Sequence, residues 1–150
     1  MSINEDVELL RRIPMFAKVE PAKLKLLAFT SERVTYGQGQ ELFHQGDNSD
    51  AAYIIVAGTA VVLVDSPRGP LQVAQLEANE FVGDIGILCD IPRTATVRAA
   101  SQLTTLKITK ELFFRMVTDF PTMGVEVMRV LAHRLELTTK KLREAESRTA

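Results

Sequence analysis

The sequence predicts a mainly β domain with helices at both ends, and three observations predict it. Between Glu32 and Thr109, β-branched and aromatic residues come in short runs divided by glycines, prolines and Asp/Asn pairs. Helical spacing of apolar residues is confined to the stretches before Glu32 and after Thr109. No long helical stretch separates the runs, which argues against parallel βαβ units and leaves a β-sandwich, a jelly roll or a small barrel. At 150 residues, 46% hydrophobic and 25% charged, the chain has the composition of a single domain, 1–150, with a core of its own.

Residues 1–31 hold two short helices. Val7, Leu10 and Ile13 sit at helical spacing until Pro14 stops the segment. Pro21 suits a first helical turn, and Leu24, Leu27 and Ala28 recur at i, i+3, i+4 before Thr30 and Ser31 break the pattern. Residues 32–109 form the β region, with strands expected at 33–36, 41–44, 52–56, 59–65, 71–76, 95–100 and 103–108. Gly37 and Gly39, the Gly46-Asp47-Asn48 segment, Gly58 and the stretch 66–70 supply the turns. From 110 to 150 the chain is helical again. Thr109 is a suitable N-cap for a helix over 111–118, and Pro121 opens a longer one. In that helix Met128, Leu131, Leu135, Thr138, Leu142 and Ala145 follow the three-four steps of a heptad seam. The seam suits either a second copy of the chain or the helix's own β region.

A net charge of −1 provides no global field for nucleic acid, so any anion site must be local. Cys89 stands alone, which excludes an internal disulfide and suits a reducing, cytoplasmic compartment. The first residues carry neither a signal nor a transit pattern, and no apolar run approaches the ~20 residues of a membrane span. His44, His133 and Cys89 lack metal-ligand spacing, so no metal is expected. No Ser-His-Asp or Cys-His ordering marks a catalyst, and an enzyme is not expected. Lys140, Lys141, Arg143 and Arg148 interleave with Glu136, Glu144 and Glu146 as a solvated helix face, from which no nucleic-acid contact is expected.

The stretch 81–97, FVGDIGILCDIPRTATV, interrupts the strands with two glycines, an acid, a short helical turn and then Pro92 and Arg93. Gly83 and Gly86 let main chain approach a ligand closely, and a turn beginning near Asp84 directs N–H groups outward, as an anion cradle requires. Arg93 can return a guanidinium fork to the same spot and grip a phosphate through two hydrogen bonds. A carboxylate beside a phosphate repels it. Asp84 therefore makes sense if it accepts from a ligand hydroxyl, which calls for a sugar next to the phosphate.

This stretch resembles the phosphate-binding cassette of cyclic nucleotide-binding domains, F-G-E-x-A-L-L followed by P-R-x-A-T, with Asp84 in place of Glu and Gly86 in place of Ala. Leu42, Phe43, Gly46, Asp47, Asp50, Tyr53, Ile54, Ile55 and Gly58 are similar to the family's strand-turn-strand segment, and Leu10, Ile13, Pro14 and Phe16 to its leading L-x-x-I-P-x-F. The resemblance implies an eight-stranded jelly-roll barrel with short N-terminal helices and a long C-terminal helix, binding cAMP or cGMP. It implies that Arg93 pairs with the cyclic phosphate and that Asp84 takes the ribose 2′-hydroxyl. Main chain at Gly83, Ile85, Gly86 and Ala95 would line the pocket, with the Thr94 hydroxyl near phosphate and base. The segment HRLELTTKK resembles the helix of bacterial catabolite activator proteins, in which Thr138 and Thr139 match the pair that meets the adenine amino group, one from each subunit. That likeness favours cAMP and a homodimer through the C-terminal helix, with an effector protein reading the signal. Two other functions fit the same residues: the sensor half of a DNA-binding regulator of the activator type, and an interaction domain that keeps the fold without the ligand.

Overall fold

The computed structural model describes residues 3–149. Two helices, α1 (Ile3–Arg11) and α2 (Pro21–Thr30), precede the strands. The strands are β1 (Glu32–Tyr36), β2 (Glu41–Phe43), β3 (Ala51–Ala57), β4 (Ala60–Val64), β5 (Leu71–Leu76), β6 (Phe81–Val82), β7 (Thr96–Ala99) and β8 (Leu103–Thr109), with the short helix α3 (Asp84–Cys89) between β6 and β7. Helices α4 (Lys110–Asp119) and α5 (Pro121–Thr149) follow. Thr109 caps α4 as the sequence predicts, its hydroxyl accepting from Leu112 N at 3.2 Å.

The eight strands pair throughout antiparallel as two four-stranded sheets, in the orders β1-β8-β3-β6 and β2-β7-β4-β5. They do not close into one barrel. The hydrogen-bonded ladders stop at the edge strands β1, β6, β2 and β5, and two of these edges hold only two and three residues. Between the sheets lies one core, built by Leu42, Ala51, Tyr53, Ile55, Ala60, Val97, Ala99 and Leu103.

Strand β3 is buried on both faces, because its alternate residues enter a second core. There Ala52 and Ile54, with Leu106 and Ile108 of β8, meet Leu10, Leu24, Leu27, Ile87, Phe113, Met116 and Met123 from all five helices. Phe81 joins this core through tilted ring contacts with Phe16, at 5.6 Å, and Phe113, at 6.3 Å. The turn from β3 to β4 rests on Gly58. Its φ is +94°, and an added Cβ would overlap the carbonyl of Gln102, so this close crossing admits no side chain.

Helix α5 divides in two. Met123 and Val127 are buried and Val130 and Leu131 pack partly on the helical core, so the first turns lie on the chain's own domain. Met128, Leu135 and Leu142 point away and are more than 60% exposed. Leu131 alone of the apolar heptad positions thus packs on the domain's own core.

Candidate functional site

Strand β6 carries the chain to Gly83, whose φ of +88° makes the αL turn that opens α3. A Cβ there would fall 2.7 Å from Arg93 Nη1 and 3.2 Å from Ala51 O, so glycine lets the guanidinium lie directly against main chain. Asp84 does not cap this helix; Gly83 holds the cap position, and no side chain bonds to it. The Asp84 carboxylate is instead buried at 4% exposure, where Oδ2 accepts from Arg134 Nη1 of α5 at 2.8 Å.

Arg93 sits at the far end of the same turn and is 4% exposed. Its main chain is bracketed by the β2–β3 loop, with Arg93 N donating to Asp47 O at 2.8 Å and Gly46 N donating to Arg93 O at 2.9 Å. The guanidinium lies 4.0 Å over the Phe43 ring. It donates through Nη1 to Gly83 O and through Nη2 to Ala51 O, with the exposed Asp50 carboxylate 3.5 Å from Nη2. Burial works against its charge and lowers its pKa, and Asp50 is among the groups that oppose the shift. Its Nε is buried and has no hydrogen-bond partner. A desolvated cation with an uncommitted donor calls for an anion with acceptor oxygens.

The cleft in front of these groups measures about 210 Å3. Gly83, Asp84, Ile85, Gly86, Arg93, Thr94 and Ala95 all line it, so the structure brings the predicted cassette residues to one place. Thr138 and Thr139 do not line it; they lie beyond Arg134 on α5, Thr138 exposed and Thr139 half-buried. Two residues here escaped the sequence reasoning, Arg134 and the stacking role of Phe43. The signal for Arg134 was present, one turn before Thr138 in the helix segment already singled out, but charges on an exposed helix face read as solvated. A larger cavity, about 490 Å3, lies between α5, the 13–15 turn and the β5–β6 connection, and Phe81 and Arg134 wall both spaces. Among the described residues no cluster of His, Cys, Asp and Glu could hold a metal ion, and no helix is long and apolar enough to cross a membrane.

A phosphate joined to a sugar fits these residues: the orphaned Nε, the glycine-floored turn and the buried carboxylate supply the donors, the close approach and the acceptor. Comparison with known proteins points the same way. The family model for the cyclic nucleotide-binding domain matches residues 33–120. The chain is 31% identical over 126 residues to an uncharacterized NTE family protein of Mycobacterium bovis, covering 84% of this chain and 21% of that one. It is 32% identical over 109 residues to the cAMP-dependent protein kinase regulatory subunit of Blastocladiella emersonii, covering 72% of this chain and 27% of that one. This chain thus spans about a fifth to a quarter of the length of these relatives. The crystal structure of the Thermus thermophilus catabolite activator protein is 25% identical and superposes with a TM-score of 0.78, over 86% of this chain and 61% of that one.

Proposed function

The chain belongs to the cyclic nucleotide-binding domain family, and from that premise we propose that it is a regulatory module, not a catalyst, that holds cAMP in preference to cGMP in the cleft between the cassette and α5. The observation that carries the reading is Arg93, a cation largely withdrawn from water that lines that cleft beside Gly83 and Gly86. A cyclic phosphate supplies one negative charge and several acceptors, which compensates the guanidinium where water cannot.

In this reading Arg93 and the main chain of Gly83, Ile85, Gly86 and Ala95 hold the phosphate, and the Thr94 hydroxyl lies beside it. Asp84 accepts from the ribose 2′-hydroxyl. Arg134 engages Oδ2, and a carboxylate has two oxygens, so Oδ1 serves the sugar without breaking the ion pair. Helix α5 closes over the base when ligand binds, which brings Thr138 and Thr139, outside the cleft in the structure described, to its edge. A second copy joins along Met128, Leu135 and Leu142, whose exposure supports that partner. The cAMP preference is supported by the two threonines and by the kinase regulatory subunit among the relatives. A cytoplasmic location suits such a module, with Cys89 unpaired.

The effector is a separate domain or protein that reads the position of α5. A second reading, favoured by the match to part of the catabolite activator protein, makes that effector a DNA-binding domain. Titration calorimetry with cAMP and cGMP tests the ligand: saturable heat with both, tighter for cAMP, is the expected result. No heat with either at millimolar concentration, from correctly folded protein, overturns the assignment and leaves an interaction domain of the same fold.

A further inference from the structure

Gly86 is not required by its backbone conformation, which lies outside the left-handed region and within α3. What excludes a side chain there is Ser49, in the loop between β2 and β3. A Cβ at position 86 would stand 2.9 Å from the Ser49 Cβ and would overlap the Ser49 hydroxyl. Rotating χ1 of Ser49 moves the hydroxyl away and leaves the Cβ–Cβ clash unchanged, because both Cβ positions follow from main chain. The same added atom would lie 3.4 Å from Arg93 Nη1.

Ser49 is also a fastening. Its hydroxyl donates to Ile91 O at 2.6 Å, and Ile91 N donates to Gly86 O at 3.2 Å, which ties the loop to the exit of α3. The two residues that follow it, Asp50 and Ala51, supply the acceptors facing Arg93 Nη2, while Gly83 at the entrance of α3 supplies the acceptor for Nη1. Any displacement between Ser49 and α3 therefore separates the two sets of acceptors that orient the guanidinium.

Resting on the reading of the cleft as a phosphate site, we propose that Ser49 and Gly86 form an interdependent pair sharing one volume, in which only one position can carry a side chain, and that this packing between loop and helix sets the place of Arg93. Gly86→Ala, Ser49→Gly and the double variant test this against wild type. Overpacking by Gly86→Ala should weaken cAMP binding by about tenfold or more, and Ser49→Gly in the same chain should restore most of the loss. A double variant no better than Gly86→Ala, or a Gly86→Ala protein that binds as wild type does, overturns the pairing. If Gly86→Ala does not fold, the double variant must fold and bind near wild type, and its failure overturns the pairing equally. The NMR resonance of the buried Arg93 Nε–H in ligand-free protein separates this inference from the ligand assignment. A shift in Gly86→Ala that the double variant reverses upholds the pair even if neither nucleotide binds; an unshifted resonance overturns it.

Discussion

The cassette and the distal half of α5 face each other across one ion pair, and they are held in opposite ways. The cassette is stitched by main chain: the β2–β3 loop brackets Arg93, Ile87 is fully buried in the helical core, and the exit of α3 is tied by Ser49 and by Lys110 to Asp90. Beyond Leu131, α5 leaves the core, and its apolar side chains Leu135 and Leu142 are 68% and 61% exposed. Arg134, reaching back to Asp84, is its ion pair with the β domain in this stretch. The difference teaches that the cassette is preorganised by its own main chain, while the distal helix leaves the core and meets the β domain at Arg134.

The contrast breaks first on stability. Phe113→Ala, in the helical core, should lower unfolding free energy by about 3–5 kcal/mol, whereas Leu142→Ala, measured at a dilution where the chain is a monomer, should change it by no more than ~0.5 kcal/mol. Urea denaturation checks both, and a large cost at Leu142 would show that the distal helix is covered. Next comes affinity: Arg93→Ala should weaken cyclic nucleotide binding by about 1.5–3 kcal/mol in calorimetry. Arg93→Lys should not recover it, since an ammonium lacks the planar fork. Affinity equal to wild type in Arg93→Ala would remove this residue from the site.

Smaller again is the tether. Arg134→Ala should lower global stability by about 1–2 kcal/mol, because it leaves the buried Asp84 carboxylate without its partner although the guanidinium itself is partly exposed, and it should speed amide hydrogen exchange beyond Leu131. Unchanged exchange would mean that α5 is held by something other than Arg134. The smallest effect is a pH dependence at the cassette exit. The hydrogen bond and charge of Lys110 hold the Asp90 carboxyl below its usual 3.8. The folded value being the lower one, the pair stabilises fully above the ordinary carboxylate range and fades as pH falls through the folded value. Lys110→Gln should therefore melt below wild type at neutral pH, and the gap should close in acid; a gap independent of pH would deny the coupling.

Much of this was legible in the residues, for physical reasons that differ by element. Pro21 and Pro121 mark the starts of α2 and α5, and Thr109 caps α4, because these residues act locally. The cassette was legible because the residues that a sugar-linked phosphate would call for, two glycines, an acid and an arginine, lie close together in the chain. Strand β6 was not, since two residues carry no periodicity and it forms only by pairing with Tyr53 and Ile54. Nor was the partner of Asp84, fifty residues away on a helix whose polar face gives no hint of which charge turns inward. The meaning of Gly86 depended on Ser49, and a steric exclusion between a short helix and a distant loop leaves no mark in the sequence of either.

Phe81 is a wall of the cleft and, through Phe16 and Phe113, a member of the aromatic contacts that anchor the flanking helices. Occupancy and unfolding are then linked functions of one molecule. A compound filling the cleft should raise the melting midpoint of sheets and helices together, in proportion to the logarithm of its free concentration once the site is saturated.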